Sequence, residues 1–166
     1  MQKRSIAVLC LVLFVAATAA AQKSFYNKEF KFGFKSPAGT RIKTDADSVF
    51  AYEPMKGIAK VEMRKTNTTE AMISAATITQ DACHKLSTDE DKPRNKKFGK
   101  LTFEKVAGVD GGMESVHPYE YFRTYHEGVC YEVRITVGME KYPKHRVSAA
   151  PLLAQLYPIL SSFYFK

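Results

Sequence analysis

The feature that most restricts the fold is a run of strict alternation near the C-terminal end. Val129, Tyr131, Val133, Ile135 and Val137 alternate with Cys130, Glu132, Arg134 and Thr136. A period of two places one set on each side of an extended chain, and no helix satisfies it. Immediately upstream, Tyr119, Tyr121 and Arg123 alternate with Glu120 and Phe122, and His126-Glu127-Gly128 lies between the two runs. Glycine beside a polar residue between two alternating runs predicts a hairpin. The chain must therefore contain an antiparallel pair with one apolar face, and something must cover that face.

Other segments predict the rest of the architecture. Phe30, Phe32 and Phe34 alternate with Lys31, Gly33 and Lys35, and Ser36-Pro37-Ala38-Gly39 ends the run with turn chemistry. Further strands are expected around Val49 to Tyr52, closed by Pro54, and from Ile58 through Val61 and Met63 to Lys65, where the alternation is imperfect. Asn67-Thr68-Thr69-Glu70 resembles a helix start, with Asn67 as cap. Met72, Ala76 and Cys83 then share one face at helical spacing, which predicts a helix over Thr68 to Lys85. Its β-branched Ile73, Thr77, Ile78 and Thr79 argue against high helix propensity. Ser87 to Lys97 is polar and charged and is expected as a loop. Alternation resumes over Lys100 to Val106, and Gly108 with Asp110-Gly111-Gly112 predicts another hairpin turn. A further strand starts over Met113 to Val116, interrupted or bulged at Pro118. Ser148 to Phe163 carries a broad apolar face of Leu152, Leu153, Leu156, Ile159, Leu160 and Phe163, so a helix is expected there, kinked or split by Pro158. The expected class is α+β: a mostly antiparallel sheet of about six strands with two main helices.

The N-terminus reads as an export signal. Met1-Gln2-Lys3-Arg4 precedes an apolar run from Ile6 to Val15, and Ala19 and Ala21 supply the small residues of a cleavage site. The apolar run falls short of the roughly 20 residues that span a bilayer. Cleavage after Ala21 divides the chain into a signal peptide, 1–21, and a single domain, 22–166. It takes 21 of the 166 residues and leaves 145. Lys3 and Arg4 depart with it, so the formal net charge falls from +8 to +6. Cys10 departs too, and the odd count of 3 cysteines becomes an even pair, Cys83 and Cys130. In an exported chain such a pair is expected as one disulfide. The expected location is periplasmic or extracellular, with no membrane-spanning segment after cleavage.

Chemistry-bearing motifs are sparse. His84, His117, His126 and His145 have no metal-site spacing, so no metal is expected. There is no Gly-x-Ser-x-Gly elbow, and Asp110, Ser115 and His117 lie too close on one hairpin arm to form a convergent triad. No glycine loop precedes a helix, and no cofactor is implied. Two surfaces stand out. Lys92, Arg94, Lys96, Lys97 and Lys100 form a candidate anion-binding loop, with Asp89-Glu90-Asp91 just before it and a second cluster at Lys141, Lys144 and Arg146. His117, Tyr119, Tyr121 and His126 form a candidate ligand surface on the central hairpin, with Tyr125 and Tyr131 nearby. Asn67-Thr68-Thr69 is a glycosylation sequon if the pathway is eukaryotic.

The strand-and-turn plan resembles the PsbP-like superfamily, which also contains the Ran-release factors. The resemblance rests on Phe30-Lys31-Phe32-Gly33-Phe34-Lys35-Ser36-Pro37-Ala38-Gly39, the Val106-Ala107-Gly108-Val109 turn, the Tyr121 strand, Cys130-Tyr131-Glu132-Val133 and a terminal helix ending near Phe163. It covers about Phe25 to Phe165. It implies an α-β-α sandwich and a binding or assembly role, not catalysis. The Cys83–Cys130 pair is not a general feature of that superfamily. The expected function is a small exported, non-catalytic binding or accessory protein whose partner is a protein or envelope component. An anionic surface is an allowed partner and nucleic acid is not expected. The alternative is a secreted enzyme or enzyme inhibitor with its site on the Tyr/His-rich hairpin 113–137.

Overall fold

A computed structural model describes residues 22–44, 55–64, 68–85, 92–112, 115–140 and 148–166. The expected export signal, the Val49–Tyr52 strand, Asn67, the Asp89–Asp91 run and the Lys141–Arg146 cluster lie outside the described residues.

The described chain is mostly β. In order it forms β1 (Lys23–Asn27), β2 (Phe32–Ser36), β3 (Arg41–Lys43), β4 (Lys56–Arg64), β5 (Thr68–Thr77), α1 (Gln80–Lys85), β6 (Arg94–Phe98), β7 (Leu101–Gly111), β8 (Ser115–His126) and β9 (Val129–Glu140). Then follow α2 (Ala149–Leu153), a 3-10 turn (Ala154–Leu156), α3 (Tyr157–Ser161) and β10 (Tyr164–Phe165). Seven strands make one antiparallel sheet in the order β3-β4-β5-β9-β8-β7-β6, and three make a second, β1-β2-β10. The expectation of an α+β domain with about six strands and two main helices, arranged as an α-β-α sandwich, is overturned. Ten strands are present among the described residues and the longest helix has six residues.

The largest departure is at Thr68 to Lys85. Ten of these residues are β5, an interior strand of the large sheet, bonded to β4 on one side and β9 on the other. The spacing i, i+4 is common to helical and two-residue periods, so Met72 and Ala76 share a face in either conformation. The deciding residues are Ala71, Ile73 and Ala75, all fully buried on the opposite face. A strand also suits the β-branched Ile73 and Thr77. Only Gln80–Lys85 is helical.

The imperfect alternation before Lys65 also has a physical cause. The register of β4 against β5 shifts between Gly57 and Ala59. A bulge places two successive residues on similar footing, so Ile58 and Ala59 are both buried. The expected hairpin at His126-Glu127-Gly128 forms as a two-residue turn between the partners His126 and Val129. Glu127 and Gly128 both have positive φ, 46° and 82°, as a type I′ turn demands. Pro158 does split the C-terminal apolar segment: it sits in the first turn of α3, after the 3-10 turn.

The core lies between one face of the large sheet and a cover made of the small sheet and the C-terminal helical turns. From the cover come Phe32, Phe34, Leu153, Leu156, Ile159, Leu160 and Phe163; from the sheet come Val61, Ile73, Phe103, Phe122, Val133, Ile135 and Val137. Gly33 lies between Phe32 and Phe34 and points away from the core. A Cβ there would sit 2.5 Å from the Tyr164 ring, so glycine lets that ring lie flat across β2.

Candidate functional site

Cys83 and Cys130 are joined. The Cα atoms lie 5.6 Å apart and the bond spans 47 residues. It pins α1 to the start of β9 on the face of the sheet opposite the main core. There it belongs to a separate buried cluster with Met55 and Ala76, against which Ile78 and Tyr125 pack. Met55 also accepts a contact from the Ser74 hydroxyl, Oγ to Sδ 4.0 Å.

The same outer face carries most of the candidate ligand surface. Residues 117, 119 and 121 of β8 project to one side, as alternation requires. Tyr119 and Tyr121 are buried with Val106, edge to face at 5.1 Å. Two arginines lie against them. The Arg134 guanidinium carbon is 5.2 Å from each ring centre, and that of Arg123 is 5.7 Å from Tyr121. Arg123 Nε donates to Glu132 Oε2 at 2.6 Å, and Arg134 Nη2 donates to Asp110 Oδ2. Among the described residues, Arg123 Nη1 and Arg134 Nε are buried without a hydrogen-bond partner. This is a closed, charge-balanced layer over two tyrosines rather than an open aromatic platform. Burial pushes the Tyr121 hydroxyl up to about 12, so it stays a neutral donor at physiological pH.

Burial also holds the Glu132 carboxyl above its ordinary value, against the pull of Arg123 and Arg134. The folded chain thus keeps this proton to higher pH than the unfolded chain. The stabilisation is complete below the unfolded value of 4.5 and is lost as pH rises through the folded value. The stability of the wild type relative to Glu132→Gln should therefore fall in urea melts as pH rises from the unfolded value of 4.5 through the raised folded value. A difference that stays constant over that window contradicts this account.

His126 does not join this surface. It lies nine positions along β8 from His117, about 30 Å at strand rise, and on the other face. Its ring stacks on Phe165 at 4.2 Å. The four-residue surface is thus three residues plus one remote histidine. Tyr131 likewise faces the core, and its hydroxyl donates to the Phe30 carbonyl oxygen at 2.7 Å.

Sequence spacing argued that Asp110, Ser115 and His117 do not converge, and part of that needs correction. Ser115 Oγ lies 2.9 Å from His117 Nε2, because residues i and i+2 of a strand share a face. Asp110 is the cross-strand partner of His117, yet its carboxylate binds Arg134. The result is a hydroxyl–imidazole pair whose neighbouring acid is engaged elsewhere. A cavity of about 270 Å³ lies away from it, lined by Phe25, Tyr26, Lys28, Thr44, Lys56 and Ile58 among others, and none of the hairpin candidates lines it. Among the described residues no three His, Cys, Asp or Glu side chains are grouped to hold a metal ion. No described helix is long and apolar enough to cross a membrane.

The basic segment is the second correction. Arg94–Phe98, expected as part of a loop, is β6, the edge strand beyond β7. Lys92, Arg94, Lys96, Lys97 and Lys100 are all exposed. No ion pair joins any of them to an acid among the described residues, whereas Lys105 on the neighbouring strand binds Glu120 Oε1 at 2.6 Å. The sequence signal missed here was Phe98, which is buried and stands against Phe103 and Phe122. One apolar residue at the end of a polar run is enough to dock a hairpin, and Gly99 closes it. Gly99 has φ 56° and occupies the first position of a two-residue turn, where type II′ geometry requires glycine.

With this geometry in place, the comparisons with known proteins are brief. No protein-family model matches the sequence, and no curated protein does. The fold is similar to the crystal structure of a Bacteroides thetaiotaomicron protein, with a TM-score of 0.59 at 16% identity, covering 87% of this chain and 48% of that one. This chain therefore spans under half the length of that protein. The solution structure of cyanobacterial PsbP (CyanoP) from Synechocystis overlaps at a TM-score of 0.46 and 10% identity, over 89% of this chain and 94% of that one. The Bacteroides likeness establishes a shared fold.

Proposed function

We propose that the chain is a small exported, non-catalytic binding or accessory protein of the PsbP-like kind, held by one disulfide. The observation that carries the binding role is the basic rim from Lys92 to Lys100, five exposed cations without acidic partners among the described residues. Unbalanced charge of one sign on one edge attracts an oppositely charged partner and speeds its encounter. Export is supported by the Cys83–Cys130 bond, a kind of crosslink that is rare where thiols are kept reduced, and by the signal-like residues 1–21. The closed tyrosine–arginine face gives the non-catalytic reading further support.

Affinity capture from the native envelope or secretion fraction tests this. The chain should retain a component at low salt and release it at high salt. Changing all five cations to glutamine should abolish that retention. Equal retention by this five-glutamine variant overturns the reading. The Ser115–His117 contact favours one second reading, a secreted hydrolase on hairpin 113–137. Ester turnover that Ser115→Ala eliminates would establish it instead.

A further inference from the structure

We infer that β6 is a docking edge for an acidic, extended segment of another polypeptide, which adds to the large sheet as its next strand. This rests on the binding role proposed above and specifies its partner.

The argument starts with backbone groups. The two-residue turn Gly99-Lys100 makes Phe98 and Leu101 the closing pair, and the register continues with Lys96 opposite Phe103 and Arg94 opposite Lys105. In a hairpin of this length the closing pair exchanges hydrogen bonds, as does every second pair after it. The N–H and C=O groups of Arg94, Lys96 and Phe98 therefore point towards β7. Those of Asn95 and Lys97 point away from the sheet. No other backbone bond among the described residues engages them. Among the described residues they form an open template of two donors and two acceptors.

The side chains then select the partner. Lys97 lies on the outer face, opposite Thr102, while Arg94 and Lys96 lie on the other face with Phe98 and Phe103. The edge is thus cationic on both faces. An incoming strand alternates its side chains between the same two faces, so acidic residues on either side of it meet a cation. Lys92 and Lys100 extend the charge beyond each end of the strand. An anionic headgroup or sugar meets the charges but has no alternating amide ladder for Asn95 and Lys97.

The opposite edge of the sheet differs in both respects. β3 has three residues, and its Lys43 is tied to Glu62 at 3.1 Å. Short strands and lysines both blunt edges against self-pairing. At β6 the charge repels a second copy of this basic edge and leaves an acidic strand as the matching partner.

The probe is a peptide of alternating Glu and Thr, about ten residues long, added to the oxidised full domain. It should bind at low salt and protect the Asn95 and Lys97 amides from hydrogen exchange. Methylating alternate backbone nitrogens of the peptide should weaken binding at least about fivefold, the scale of one lost backbone bond. Asn95→Pro removes an outward donor without changing charge, and edge strands tolerate proline. It should weaken binding to a similar extent, while Asn95→Thr leaves it unchanged. If Asn95→Pro fails to fold, the methylated peptide makes the same test on the wild type. Equal binding by the methylated peptide overturns strand addition. So does absence of binding, or tighter binding to phosphatidylserine vesicles or heparin with no protection at Asn95 and Lys97. Salt-sensitive capture of an envelope component without peptide binding would sink the docking edge alone. Peptide binding without such capture would sink the accessory reading alone.

Discussion

Replacing both bridging cysteines, Cys83→Ala with Cys130→Ala, should lower the unfolding free energy by about 4 kcal/mol. The figure follows from the loop that the bond closes, 47 residues long. Cross-linking removes open conformations from the unfolded chain, and the restriction grows with the logarithm of loop length. For a chain of this size the loss corresponds to a fall in Tm of roughly 10–15 °C. The native fold should survive, because the bond lies in its own small cluster, apart from the main core. Near-ultraviolet circular dichroism should therefore stay native-like below the new transition, while urea melts shift to lower midpoint. A loss under about 1 kcal/mol would mean that the packing of α1 alone holds this end of the sheet. Reductant should act slowly on the folded protein, since Cys83 and Cys130 are 1% and 0% exposed.

Phe32→Ala should cost about 3–5 kcal/mol, comparable to the disulfide but by a different route. Phe32 is fully buried at the centre of the three-stranded sheet. It stacks on Phe163 at 5.1 Å and meets Tyr131 edge to face at 5.5 Å. Those contacts join the small sheet, the C-terminal turn and β9. Truncation leaves a void that rigid neighbours cannot fill, so the lost transfer energy and the cavity add together. Lys35→Ala, two strand positions beyond Gly33 on the exposed side, should change stability by no more than about 0.5 kcal/mol. Equilibrium urea unfolding of the two variants separates the outcomes. A small effect of Phe32→Ala would mean that the cover sheet is not cooperatively joined to the core.

How far the sequence could be read depended on how many conformations each local pattern allows. The β8–β9 hairpin was legible because five consecutive alternations and a Glu-Gly turn admit one geometry. Phe32 and Phe34 were legible as inward residues for the same reason, and Pro158 as a break because it lacks an N–H. β5 was not, since Met72 and Ala76 satisfy both periods and small residues such as Ala71 and Ala75 carry little signal. β6 was missed because an edge strand needs few apolar residues; Phe98 alone of its five residues is buried. The candidate surface of His117, Tyr119, Tyr121 and His126 failed at His126 on parity: even and odd positions of one strand face opposite sides.

By itself, then, the sequence determined the antiparallel hairpin, the pairing of its two cysteines outside the signal-like segment and the clustering of cations between residues 92 and 100. Each follows from local spacing, residue chemistry or simple counting. Only the tertiary structure decided that Thr68–Thr77 is an interior strand paired on both sides, that the aromatic face is closed by arginines and that the basic run is, among the described residues, an edge of the sheet. Those outcomes depend on which strand lies beside which, and strand order is set by long-range burial that no local period encodes.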